Sequence, residues 1–181
     1  MNKVIVFENV KNDQTSFYQE LFEDKEFVYY FWGQKPFGYL DWLQRVKDTS
    51  VRYFLYQESS SLDSPFGMIH FQRLEPRENT IHRNADVFIY GGILSRFFNS
   101  GMGIWGLVGA LRIYFRDNPS HIIYASTFGY NNRSARMLSG IGFTKLDVDT
   151  YAKNHFILNK EHFENCKLTQ HLLSRITIIE K

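Results

Sequence analysis

Apolar positions in this 181-residue chain follow two rhythms: short alternating or continuous runs, and longer stretches with helical spacing. The short runs, at 4–10, 51–57, 66–74, 85–94 and 121–128, are rich in Val, Ile, Phe and Tyr and predict strands. A first helix is expected from an Asp13 cap through Phe27, with Phe17, Tyr18, Leu21 and Phe22 on its apolar side. A second opens at Pro36 and carries Leu40, Leu43 and Val46. A third covers 103–115, with Leu107, Val108, Leu111 and Tyr114 inward, and stops at Asp117-Asn-Pro119. Residues 131–139 read as a short helix closed by Gly140-Ile-Gly142, followed by a closing hairpin at 143–148 and 154–158. Residues 160–181 read as a helix without a definite end, and 58–65 and 75–79 as loops. Gly91-Gly92 interrupts the fourth strand, which implies a bulge or the close approach of another group. The order β, α, α, three strands, α, β, α, two strands predicts one α/β domain over 1–181, a mixed sheet with helices on both faces.

Composition narrows the function classes. With 44% hydrophobic and 22% charged residues the chain has an ordinary globular balance, large enough to bury a core. A net charge of +2, without a dense Lys/Arg stripe, argues against a nucleic-acid or acidic-membrane partner. The single Cys166 rules out an internal disulfide framework. The first residues read as a strand rather than a signal peptide, and no apolar stretch approaches the ~20 residues that span a bilayer. Cytoplasm is the expected location. Aromatic residues reach 17%, read mainly as core with an aromatic-lined cleft as the alternative.

The densest chemistry sits at Phe98-Asn-Ser-Gly-Met-Gly-Ile104, between a strand and a helix. Such a turn presents helix-start amides that lack acceptors and carry the positive end of the dipole, a natural anion site. Gly101-Met-Gly-Ile-Trp-Gly106 also has dinucleotide-turn spacing, but that turn needs an acid at the end of the next strand, which here ends Ala125-Ser-Thr127. A Walker-type loop fails because Leu107 and Val108 stand where Lys and Ser/Thr are required. The competing structural reading is that Gly103 and Gly106 permit close packing of helix on sheet. A second element follows, with Asn131-Asn-Arg-Ser134 at a helix start and then Gly142-Phe143. Asn131 is a good cap in its own right.

These two elements, in this order, resemble the GNAT superfamily of acetyl-CoA-dependent N-acetyltransferases over about residues 51–159. The family turn reads Gln/Arg-x-x-Gly-x-Gly/Ala, here Phe98-Asn-Ser-Gly-Met-Gly103, with Phe98 in place of the leading Gln/Arg. The resemblance implies a mostly antiparallel sheet with splayed fourth and fifth strands and acetyl-CoA as cosubstrate. It implies cofactor contacts from Ile93, Phe98, Asn99, Ser100, Gly101, Met102, Gly103 and Ile104, with Asn131 on the pantetheine arm and Ser134 nearby. The family's acid, a tyrosine seven residues after the helix-start Asn, is replaced here by Leu138. Ala85-Asp-Val-Phe-Ile-Tyr90 resembles the entry to the fourth strand in the RimJ/RimL-like branch.

Acetyl transfer to an amine needs a proton acceptor for the amine, a donor for the carbonyl oxygen and a proton for the leaving thiolate. Asp86 is the leading base candidate and shares a strand face with Phe88 and Tyr90. Tyr90 and Tyr130 are candidate acids, and the Gly91-Gly92 region running into Ile93 is the place for the oxyanion donor. His70 reads as a packed or surface histidine. His162 and Cys166 share a helix face, but His171 lies off it, so no metal site is expected. The leading expectation is transfer of an acetyl group to a primary amine of a small molecule, with an apolar wall at Phe31-Trp-Gly-Gln-Lys-Pro-Phe37. Residues 39–71 loosely resemble GNAT members acting on nucleotide-linked amino sugars. A RimJ/RimL-like protein N-terminal acetyltransferase and a non-catalytic CoA-binding module are the alternatives, and a homodimer is compatible with each.

Overall fold

The apolar runs assemble into one eight-stranded sheet of order β6-β7-β5-β4-β3-β2-β1-β8. A computed structural model describes residues 3–9, 15–33, 50–57, 65–74, 84–150 and 152–181. Its strands are β1 Lys3–Asn9, β2 Ser50–Gln57, β3 Gly67–Arg73, β4 Val87–Ile93, β5 Ile123–Phe128, β6 Thr144–Thr150, β7 Lys153–Leu158 and β8 Ile176–Glu180. The helices are α1 Thr15–Glu23, α2 Lys25–Trp32, α3 Met102–Asp117, α4 Asn132–Gly140, α5 Lys160–Asn165 and α6 Lys167–Leu173, with a 3-10 turn at Ser95–Phe97. The helix expected from Pro36 and the loops at 58–64 and 75–79 lie outside the described residues.

Strands β1 to β4 pair antiparallel in sequence, β5 pairs β7, and β7 pairs β6. Two contacts are parallel, β1 with β8 and β4 with β5. Both faces are covered, which is why β1 to β4 read as nearly continuous apolar runs. On one face Ile5, Phe7, Tyr53, Leu55, Ile69, Phe71, Val87 and Ile89 pack against α3, α4, α5 and α6. On the other, Val6, Phe54, Tyr56 and Met68 pack beneath Phe17, Tyr18, Leu21 and Phe27 of α1 and α2.

Two sequence expectations are corrected, and one pair of alternatives is resolved. The first helix is two helices broken at Asp24, whose Oδ1 accepts from Glu26 N and Phe27 N at 3.1 Å each and restarts the helix as an N-cap. The tail is two short helices and a strand. Ile176-Thr-Ile-Ile179, a β-branched run, adds β8 beside β1 in parallel register. Finally, β4 is not bulged at the glycine pair, since Gly91 faces Ile69 and Gly92 faces Met68 in unbroken register with β3.

The glycine pair serves close approach instead. A Cβ at Gly92 would stand 2.6 Å from Cε2 of Phe27, so only glycine lets that ring lie on the strand. Gly92→Ala is expected to cost about 1–3 kcal/mol through overpacking, read as a lowered urea midpoint. Combining it with Phe27→Leu should recover part of the loss. A midpoint unchanged by Gly92→Ala would show that α2 does not need this contact.

Candidate active site

The site is built around the place where β4 and β5 separate. Their parallel pairing comprises Val87 with Ile123 and Phe88 with Tyr124. Beyond that point β4 continues to Ile93 in full register with β3. Leu94 gives its N–H to Phe66 O on the β3 side, and Val87 gives its own to Ile122 O on the β5 side. Alternation therefore turns the amides of Ile89, Gly91 and Ile93 toward the fork.

At the open end of the fork lies the glycine turn. Phe98 N bonds Ser95 O, Ser100 N bonds Phe97 O, and Ser100 Oγ donates to Phe97 O while accepting from Met102 N at 3.1 Å. Asn99 (φ 62°) and Gly101 (φ 80°) both adopt the left-handed region, a conformation that glycine, and to a lesser degree Asn, adopts without strain. This double reversal carries the chain into α3, whose first amides, at Gly103 and Ile104, lack intrahelical acceptors. The two readings of the glycines divide by residue. Gly101 makes the turn, whereas Gly106 makes room for packing, because a Cβ there would be 2.6 Å from Leu55 Cδ1.

Helix α2 lies across the fork. Phe27 rests on Gly92, Phe31 stacks on Phe27 at 4.9 Å and approaches Tyr90, and Gly33 passes over the Phe128 ring. Its C-terminal end touches both sides of the opening: Tyr30 meets Phe98 edge-on at 6.1 Å, and Tyr29 lies 4.9 Å from Tyr130. Tyr130 Oη donates to Tyr29 O at 2.9 Å, and Asn131 Nδ2 to Tyr30 O at 3.3 Å. Asn131 Oδ1 accepts from Ser134 N, so this buried residue caps α4 and ties it to α2 at once. Ser134 is half-buried beside it. The side chain of Trp32 and residues 34–37 of the expected apolar wall lie outside the described residues.

The candidate proton-transfer residues fall in three different places. Asp86 is exposed at the closed end of the fork, where its Oδ2 accepts from Ile122 N at 2.7 Å and its own N–H bonds Ile122 O. It clamps the starts of β4 and β5 together. Tyr130 is exposed, with its hydroxyl committed to α2, and partial burial raises its pKa. Tyr90 is half-buried on the α2 face just past the fork, stacked on His70 at 5.1 Å. Leu138 is buried in the α3-side core, so no hydroxyl stands at the family tyrosine position.

Sequence reading missed a polar group on this face. Tyr124, at the last pair before the fork, has its hydroxyl against Nδ1 of buried His155 on β7. Burial pushes the Tyr124 phenol up to about 12. On the other side, buried His70 has Nε2 3.3 Å from Tyr18 Oη. The signal for both was strand alternation, since His70 and Tyr90 are cross-strand partners and His155 stands opposite Ser126. The pairing itself joins distant segments and has no local mark. Elsewhere, the helix expected to carry His162 and Cys166 on one face breaks at Cys166, whose Sγ bonds Gly140 O.

The fold that carries the fork, the glycine turn and the capped α4 is shared with acetyltransferases of known structure. The chain is similar in structure to an uncharacterised protein from Bacillus halodurans (TM-score 0.69, 14% identity, 93% of this chain and 90% of that one). It is equally similar to AAC(6')-Ib in complex with paromomycin and acetyl-CoA (TM-score 0.69, 14% identity, 91% and 98%). It also matches spermidine N-acetyltransferase from Vibrio cholerae in complex with CoA and spermine (TM-score 0.66, 12% identity, 89% and 98%). No family model matches the chain, and no curated protein matches it.

One carboxylate links α2 to the approach to the turn. Besides capping α2, Asp24 accepts from Ser95 N through Oδ2 at 2.6 Å. Burial pushes its pKa up, but the bonds from Ser95, Phe27 and Glu26 outweigh burial and hold it below the ordinary value. Because the folded pKa is the lower one, this stabilisation is complete above the unfolded value and is lost as pH falls through the folded one. Asp24→Ala should therefore cost about 1–2 kcal/mol at neutral pH. The gap to wild type should narrow below about pH 4. Denaturant titrations across pH check this, and a gap that stays constant into acid would show that the charge contributes nothing.

Proposed function

We propose that this chain transfers an acetyl group from acetyl-CoA to a primary amine of a small molecule. The observation that carries the reading is that two sets of amides follow one another along the chain: those of β4 turned toward the fork, and those of the left-handed turn at 99–104. Five residues separate Ile93 from Phe88, ~17 Å at a strand's rise, comparable to an extended pantetheine arm. An arm anchored at the turn and laid along β4 brings its thioester to the fork. The residues fit CoA in kind: exposed Asn99, Ser100 and Gly101 leave the turn open to phosphates, and Ile93 and Gly103 offer an apolar side for the arm.

In this reading the chain's work is mostly orientation. The amides of Gly91 and Ile93 suit the carbonyl oxygen that gains charge as the amine adds. Tyr90 is the residue placed to give or take a proton at the fork, with His70 stacked behind it. Asp86 steadies the closed end, so the base role first expected of it would have to act from below the fork. The acceptor enters on the α2 face, where Phe31, Phe88, Tyr90 and Tyr124 form an aromatic lining suited to a ringed amine such as an amino sugar. The similar structures include proteins solved with an aminoglycoside and with spermine, which supports an amine acceptor without choosing one.

The test is thiol release from acetyl-CoA in the presence of an amine panel comprising amino-sugar nucleotides, aminoglycosides, polyamines and N-terminal peptides. Turnover with a sugar or other small amine is the expected result, and Tyr90→Phe should lower kcat roughly 10²-fold or more with little change in KM. Turnover on peptides alone would favour the protein N-terminal reading. CoA binding without turnover on any amine would favour a non-catalytic module, and absence of CoA binding would overturn the proposal.

A further inference from the structure

Position 98 is where this turn departs from the Gln/Arg pattern, and the structure shows what the Phe98 ring does. Arg133, in the first turn of α4, holds its guanidinium carbon 4.7 Å from the Phe98 ring centroid and 5.7 Å from that of Tyr30. The two rings meet edge to face at 6.1 Å and 70°, forming a corner that seats the cation. Stacking engages the flat face of a guanidinium and leaves its N–H donors, which lie in the plane, available to another partner. Among the described residues no carboxylate pairs with Arg133, and none accepts a hydrogen bond from its side chain.

That placement runs against local electrostatics. The first turn of a helix is its positive end, so a cation there is disfavoured unless an anion offsets it. The amino end of α3 opens just past Phe98, so two helix starts and a guanidinium converge on one mouth. Four ion pairs join described residues elsewhere on the surface, and among the described residues none involves Arg133.

Resting on the acetyl-CoA reading above, we propose that Arg133, seated on Phe98 and Tyr30, takes a phosphate of CoA. It supplies from α4 the polar contact that the related pattern supplies from position 98. Phe98 is then a platform for the cation rather than a lost ligand. Asn131 caps the helix through Ser134 N and so holds the first turn that carries the arginine.

Calorimetric titration of CoA, dephospho-CoA and pantetheine into wild type, Arg133→Gln, Phe98→Ala and the double variant Phe98→Arg/Arg133→Gln tests this. Arg133 is exposed, so Arg133→Gln should keep the wild-type melting temperature. It should bind CoA roughly tenfold more weakly, with a shallower salt dependence and unchanged competition by pantetheine. Loss on CoA alone assigns the 3′-phosphate, and equal loss on dephospho-CoA assigns the pyrophosphate. Phe98→Ala should fall between the two, and the double variant should regain affinity. Wild-type affinity and salt dependence in Arg133→Gln would overturn the assignment while leaving the acetyl-CoA reading intact. So would an equal loss on pantetheine. A wild-type protein that binds no form of CoA would overturn both.

Discussion

The parting of β4 from β5 is the constraint from which the rest of the site follows. Parallel strands joined at Val87–Ile123 and Phe88–Tyr124 leave the remaining β4 amides and carbonyls without a strand partner on that side. Backbone groups in a protein interior must find partners, so the opening has to be covered and its edge has to be used. Helix α2 provides the cover, with Phe27 on Gly92 at one edge and Gly33 over Phe128 at the other. Beyond Phe88 the edge itself has no strand beside it on the β5 side among the described residues.

Holding such a fork open takes fixed points at both ends. At the closed end Asp86 bonds the Ile122 amide and prevents the strands from sliding. At the open end Asp24 joins the start of α2 to the amide of Ser95, and Asn131 joins the start of α4 to the end of α2. Asp24 and Asn131 are short polar side chains that each satisfy helix-start amides and, with a second polar atom, a distant backbone group. Helix capping and tertiary anchoring are thus the same bonds, so weakening one cap also loosens the groove.

Much of this architecture was legible in the sequence, and the exceptions have a common cause. The glycine turn, the Asn131 cap and the strand periods are local patterns, set by backbone geometry within a few residues, and each emerged where its residues predicted. Asp24 was hidden inside an apolar period that continues through Phe27, because a cap is visible only where periodicity stops. β8 was masked by short helices before it, although Ile176-Thr-Ile-Ile179 has strand character; its partner β1 lies at the other end of the chain. Asp86 was read from its neighbours in the strand, whereas its carboxylate answers to Ile122, 36 residues away. Long-range pairings of that kind leave no periodic trace, and the Tyr124–His155 contact escaped for the same reason.

The same distinction separates the two ends of the groove. In the proposed reading the cofactor end is made of main-chain amides, held by two left-handed residues and a cap, and its requirements can be met by few residue types. A Phe at position 98 leaves those amides in place, and Arg133 of α4 stacks on its ring. The acceptor end is made of side chains, Phe31, Phe88, Tyr90 and Tyr124, whose backbone positions impose no particular chemistry. Of these, Phe88 and Tyr90 are half-buried strand residues, whereas Phe31 is stacked on Phe27 and Tyr124 is buried against His155. Leu138 is buried in the α3-side core, so in the proposed reading proton transfer falls to groups on the α2 face. In the proposed reading, cofactor geometry is therefore coupled to the fold through the backbone, while acceptor choice and proton transfer rest on side chains.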